Sequence, residues 1–243
     1  MILDLKAPHQ IYKAKDGRRL TGVTTYLGVI AKPQLMKWYA DEERKGVLDC
    51  VARGVALPDG PFAEVKRDKA ADLGTVTHAQ IEAYLNNDTL SEEGIPEDIY
   101  RQSFHGLARF REWWHDNRLS VFASEHQFVY ESEFMSYGGT VDIVAQDQYG
   151  KLVLIDVKTT KKSRYWPYDE VYAQVAAYTH GVKSHFDVTR CMAVRVGKDT
   201  DDAIQAVEFT QGQIHNGWML FTAAYDAYEA KKALARATKE AAK

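Results

Sequence analysis

The sequence predicts an α+β fold: a central mixed sheet flanked by helices, preceded by a mainly helical N-terminal half. Three observations carry this expectation. Apolar residues recur at helical spacing through much of the first 118 positions. From residue 119 the pattern turns to alternating or continuous apolar runs rich in β-branched residues. One amphipathic helix interrupts those runs and another follows them, as in a sheet covered by helices.

Residues 11–12 and 20–25 flank the Asp16-Gly17 turn and read as a hairpin. Pro33 opens a helix with Leu35, Trp38 and Val47 at apolar positions, ending near Arg53 and Gly54. A loop follows at 55–61, then two helical stretches, 62–73 and 75–85, hinged at Gly74. After a polar turn at 86–94, Pro96 leads into a helix whose stripe is Ile99, Phe104, Leu107, Phe110 and Trp114. Strands are expected at 121–130, 139–145 and 151–157, the last two joined by a turn at 146–150. A helix at 168–182 and strands at 188–196 and 203–209 come next. Thr210 and Gln213 form a T-x-x-Q capping box for the last helix, which gives way to a solvated tail at 230–243. No linker divides the chain. Residues 1–243 read as one domain, with a helical part at 1–118 and the core sheet and helices at 119–229.

Composition narrows the function classes. Hydrophobic residues make up 45% and charged residues 27%, the balance of a globular protein, and 243 residues suffice for one sizeable core. No stretch reaches the roughly 18 consecutive apolar residues of a membrane span, and the charged N-terminus lacks a signal-peptide run, so a cytoplasmic protein without membrane attachment is expected. Cys50 and Cys191 are far apart, which argues against a disulfide framework, a structural zinc site or a four-thiolate iron–sulfur cluster. The net charge of -3 leaves any nucleic-acid surface to a local basic face. P-loop, G-x-S-x-G and dinucleotide fingerprints are missing, which disfavours an ATPase, a serine hydrolase and a Rossmann oxidoreductase.

The most informative segment is Gly138-Gly139-Thr140-Val141-Asp142-Ile143, followed after a turn by Leu154-Ile155-Asp156-Val157-Lys158-Thr159-Thr160. Strand side chains alternate faces, so Asp156 and Lys158 share one face while Val153, Ile155 and Val157 share the other. A five-residue loop pairing Ala145 with Lys151 puts Asp142 opposite Leu154 and Asp156 opposite Thr140, as diagonal neighbours on one surface. Two carboxylates and an ammonium on an apolar hairpin are costly unless they serve a purpose, and a hard cation such as magnesium resolves the arrangement. The alternative is a polar strand edge with a salt bridge.

G-G-T-V-D, a turn, then I-D-V-K-T-T resembles the core of the PD-(D/E)XK nucleases, specifically their RecB-like branch. Gly74-Thr75-Val76-Thr77-His78 resembles that branch's G-T-x-x-H helix, and Gln174-Val175-Ala176-Ala177-Tyr178 its Q-x-x-x-Y helix. Val23-Thr24-Thr25-Tyr26-Leu27, with Pro33, Leu35 and Trp38, is similar to the opening of phage, CRISPR-associated and mitochondrial members. The likeness runs from about residue 20 to residue 180, with the motifs in the expected order. Asp156 stands where many members of the superfamily carry Glu, and the four-cysteine cluster of the iron–sulfur subset is missing.

The resemblance implies a metal-dependent DNA exonuclease that binds one or two Mg2+ or Mn2+ ions through His78, Asp142, Asp156 and the Val157 carbonyl. It makes Asp142, Asp156, Lys158, Gln174 and Tyr178 the catalytic set. It further implies a DNA partner with a single-stranded end, and work in recombination, replication or repair beside a single-strand annealing or replication protein. Lys161, Lys162, Arg164, Tyr165 and Trp166 join cations to aromatics directly after the metal-bearing strand, as in a single-strand binding track. Each reading has a bland counterpart. His78 also fits a core histidine, with Ile81 and Leu85 on its face, and Tyr178 a core ring with Gln174 at its rim. The 161–166 segment also fits a solvated loop over tucked aromatics, and Glu125 an exposed strand carboxylate as well as one approaching the metal. Lys66, Arg67 and Lys69 suit phosphate contacts or a charged helix face. A flap endonuclease on the same site and an inactive DNA-binding scaffold are the alternative functions.

Overall fold

The structure, a computed structural model, describes residues 2, 3, 5, 11–160, 166–198 and 203–241. The N-terminal strand β1 (Ile2–Leu3) runs parallel to a short strand further on, and β2 (Tyr12–Lys13) and β3 (Arg19–Leu20) make a hairpin. The segment after it is not a strand. Val23–Leu27 forms a short helix, α1, because Val23, Tyr26 and Leu27 at i, i+3 and i+4 all bury on one side.

Helix α2 (Pro33–Arg53) starts on its proline and stops at Gly54, whose φ of 63° takes the left-handed conformation that ends helices. Residues Phe62–Leu85 form one unbroken helix, α3, so the expected hinge at Gly74 does not exist. A helical glycine costs about 1 kcal/mol relative to alanine. Burial of Leu73, Val76, Ala79 and Ile81 on either side of it offsets that cost. The partner of β1 is β4 (Thr89–Leu90), and α4 (Glu97–Asp116) carries the expected stripe except that Phe104 is exposed.

The main sheet has five strands in the order β5 (Ser120–Glu131), β6 (Ser136–Gln146), β7 (Leu152–Thr159), β8 (Val188–Val196), β9 (Gln205–Glu208). It is mixed: β7 and β8 are parallel, joined through helix α5 (Asp169–Val182), and the other neighbours are antiparallel. Helices α3 and α4 cover one face, where Ile81, Phe110 and Trp114 pack on Ile143, Val153, Ile155 and Val157. Helices α1, α5 and α6 (Gln211–Ala241) cover the other, where Tyr26, Val175 and Phe221 pack on Val141, Val144 and Leu154. The capping box forms as expected, with Gln213 N–H donating to Thr210 Oγ1 at 3.2 Å and Thr210 N–H to Gln213 Oε1 at 2.9 Å. Beyond residue 230 the helix continues to Ala241 where fraying was expected, since alanine, lysine and glutamate are good helix formers, and almost all of these residues are exposed, as a solvated tail requires. No described helix is long and apolar enough to cross a membrane.

The register of β6 and β7 differs from expectation. Ala145 pairs with Val153, not Lys151, and Gln146 with Leu152. The cause lies in the turn: the Asp147 carboxylate accepts from the N–H groups of Tyr149 and Lys151, both at 2.9 Å, and Gly150 takes a φ of 76°. Lys151 thus belongs to the turn. The ladder ends at Ile143↔Ile155. Beyond it, β7 runs on beside β8 to Thr159 while β6 stays with β5, so the sheet forks between them. The edge of β6 exposed by the fork is met by the N-terminal segment, with Gly138 N–H donating to the Thr21 carbonyl at 3.1 Å.

Candidate active site

The fork gathers the predicted carboxylates. Asp142 is the first residue of β6 past the last rung shared with β7, and Asp156 is its counterpart on β7. The corrected register therefore makes them opposite neighbours, not diagonal ones. Asp142 Oδ2 accepts from Val157 N–H at 2.7 Å, so its side chain bridges the two strands where the backbone ladder has stopped. Asp156 is fully buried, with Lys158 Nζ 2.8 Å from Oδ1 and 2.7 Å from Oδ2. Oδ2 nevertheless receives no hydrogen bond of good direction.

Glu125 on β5 completes a row of three acids. Its neighbours Ser124 and His126 pair with Ile143 and Val141, which leaves Glu125 facing Asp142 across the ladder. A register shift at Val121/Ala123 brings it there, and its φ of 46° is unusual for a residue with a side chain. From the sequence this residue fitted an exposed strand carboxylate as well as one approaching the metal. The bulge that redirects it leaves no mark in the residue pattern. The detectable signal was only an acid within an otherwise apolar and polar strand.

His78 comes from α3 on the other side of the fork. Its Nδ1 is 3.9 Å from Asp142 Oδ2, beyond a direct hydrogen bond. From α5, the Gln174 side-chain amide donates to the Tyr178 hydroxyl at 2.7 Å, and both residues are buried. Arg195 on β8 escaped the sequence reading. Opposite Lys158 in register and buried, it donates to the carbonyls of Thr160 at 3.0 Å and Ala203 at 2.7 Å, fixing the exit of β7.

The electrostatics describe a crowded anionic pocket. Burial, then the charges of Asp142 and Glu82, push Glu125 up to about 8. Burial also raises Asp142 and Asp156 above the usual carboxylate range, opposed in both by Lys158. Burial works against a charged Lys158, but the Asp156 and Asp142 carboxylates outweigh it and hold the ammonium above its ordinary value. Burial, seconded by the Lys158 cation, lowers His78 to about 4, so its imidazole is neutral at pH 7. Burial and the same two aspartates raise the Tyr178 phenol, which stays protonated.

The DNA-binding residues expected at Lys161, Lys162, Arg164 and Tyr165 lie outside the described residues. Trp166 is 6% exposed and packed in the core, so it offers no face for a base to stack on. Lys66, Arg67 and Lys69 pair with Glu42, Asp68 and Asp98 as a charged helix surface. Cys50 and Cys191 are buried free thiols.

The donor set fits a hard cation: carboxylate oxygens, a neutral imidazole and a buried Asp156 oxygen lacking a well-directed partner. Among the described residues, however, no three His, Cys, Asp or Glu side chains already converge on a common ligating point, because Asp156 holds Lys158 and Asp142 holds Val157.

No protein-family model matches the chain, and no curated protein matches it. Solved structures that match the chain include two named as exonucleases. A "putative exonuclease" from Eubacterium rectale is 14% identical, with 61% of this chain and 63% of that one covered and a TM-score of 0.43. LHK-Exo in complex with dAMP is 15% identical, with 71% and 91% covered and a TM-score of 0.37. The chain thus spans less than two thirds of the first of these.

Proposed function

We propose that this protein is a divalent-cation-dependent deoxyribonuclease of the PD-(D/E)XK type, in its RecB-like branch, acting as an exonuclease. The observation that carries this reading is the fork, where Asp142 and Asp156 face each other with Lys158 on the same strand as Asp156 and His78 reaching in from α3. An acidic row of this kind, with Asp156 fully buried and Asp142 and Glu125 half-buried, is unfavourable by itself, and a bound cation removes the penalty.

Asp142, Asp156, His78 and the Val157 carbonyl would hold one or two Mg2+ or Mn2+ ions. Such an ion, when bound, lowers the pKa of a coordinated water and offsets charge on a phosphate. Lys158, whose ammonium lies against Asp156, would orient the attacking water or face the charge that grows on the phosphate. Tyr178, kept protonated and held by Gln174, supplies a fixed hydroxyl close to both aspartates. Hydrolysis of the phosphodiester would leave a 5′-phosphate. Lys161, Lys162 and Arg164 follow the metal-bearing strand and would supply phosphate contacts to the DNA.

Digestion of end-labelled single- and double-stranded DNA with magnesium or manganese tests the reading. Release of short products that EDTA abolishes is the expected result. A Lys158→Ala protein that keeps full activity would refute the catalytic assignment.

A further inference from the structure

We infer that Tyr12, from the N-terminal hairpin, is a substrate-binding residue whose hydroxyl contacts the phosphate next to the one at the Asp142–Asp156 pair. The inference rests on the nuclease reading and adds a subsite to it.

The Tyr12 ring lies against Gly138 at the arm of the fork. A Cβ on Gly138 would stand 2.1 Å from the ring's Cγ, and one on Gly22 would stand 3.2 Å from Cε2. Gly138 must therefore be glycine for the ring to lie where it does, which accounts for the first glycine of the G-G-T-V-D run, while a side chain at Gly22 would press on the ring edge. The ring is locked, and its hydroxyl is hydrogen-bonded to Thr140 Oγ1 at 2.9 Å. Thr140 precedes Asp142 by two residues on β6, a separation of about 7 Å along a strand.

The hairpin buries Ala14 and Leu20, and Lys15 N–H donates to the Glu131 carboxylate at 3.2 Å. Its anchor is the pairing of Thr21 and Gly22 with Gly138, along the edge of β6 that β7 abandons at the fork. Tyr12 is only partly buried. Either oxygen can be the donor in the Tyr12–Thr140 bond; with Thr140 donating, a phenol held in one orientation there keeps its own proton for an anion, without further loss of side-chain freedom on binding. A phosphodiester chain entering the fork has a second phosphate within reach of that donor.

The test compares Tyr12→Phe, which keeps the ring in its glycine-bounded slot, with the unaltered protein on oligonucleotides carrying one methylphosphonate at successive positions beside the cleaved bond. The unaltered protein should show a KM raised three- to tenfold when the neighbouring phosphate is neutralised. Tyr12→Phe should show the same rise on ordinary DNA, with kcat within twofold, and no additional penalty from the methylphosphonate at that one position. A merely structural Tyr12 would leave the methylphosphonate penalty intact in the variant. That outcome, or an unchanged KM in Tyr12→Phe, overturns the inference while the nuclease reading stands. An unaltered protein that cleaves no DNA with either metal overturns both.

Discussion

The Asp142 carboxylate takes the place of a backbone rung, accepting Val157 N–H at 2.7 Å just where β6 and β7 part. Its two tasks, holding the strands and carrying charge, can be separated. Asp142→Asn keeps an acceptor for Val157, so its stability in the absence of metal should stay within about 1 kcal/mol of the parent. Asp142→Ala leaves that N–H without an acceptor and should cost about 1–3 kcal/mol more in urea unfolding. Both should lower magnesium-dependent cleavage at least a hundredfold. Equal stability of the two variants would remove the structural task.

Lys158 neutralises a carboxylate that has no exposure of its own. In Lys158→Met that charge is uncompensated, and the Asp156 pKa rises further above its unfolded value. An acid whose folded pKa is raised binds more protons when folded, so its stability falls as pH rises through the interval between the two values. Lys158→Met should therefore be destabilised by about 2–3 kcal/mol at pH 8, and by clearly less at pH 5, in metal-free unfolding. A deficit independent of pH would show that the lost contact is one of packing.

Glu125 offers the complementary case. Its pKa of about 8 in the folded chain exceeds the ordinary 4.5, so the metal-free protein should lose stability from about pH 5 to pH 8 as this group is forced to ionise. Glu125→Gln cannot ionise. It should match the parent near pH 5 and exceed it by about 2 kcal/mol at pH 8, a figure reduced from the full shift because the site is only partly enclosed. Thermal melts across that range check it, and identical pH profiles for the two proteins would contradict the assignment.

Magnesium or manganese should raise the melting temperature of the parent. Saturation at 100 times Kd corresponds to about 2.7 kcal/mol of added stability. Asp156→Asn should lose most of that gain while keeping its fold by circular dichroism. Calcium, a hard cation of similar ligand preference, should stabilise the parent as well.

Much of this was readable from residues alone. The alternation of Val153, Ile155 and Val157 against Asp156 and Lys158 required one sheet face to be apolar, and those valines and isoleucine do pack under α3 and α4. Thr210 and Gln213 specify their cap locally, so the sequence carried it in full. What escaped depended on partners distant in the chain. The pairing of β6 with β7 shifted because Asp147 closes the turn with its own carboxylate. The shift was by an even number, so it changed which residues stand opposite and not which way they point. Val23, Thr24 and Thr25 suggested a strand by their branching, yet Tyr26 is buried against Phe221, Tyr225 and Tyr228 of the last helix, and that contact favours the helical turn. For Glu125 the sequence left an exposed carboxylate and one approaching the metal both open, because a backbone irregularity aims it and propensity describes regular strands only.

Helix α3 has a mechanical corollary. Its 24 residues form a rod of about 36 Å without a joint. His78 rides on the half anchored to the sheet, while the half near Phe62 carries Val65 in the open, alongside the uncovered Met36, Leu48 and Val51 of α2. Pressure applied to that outer half would be delivered, lever-fashion, to the imidazole.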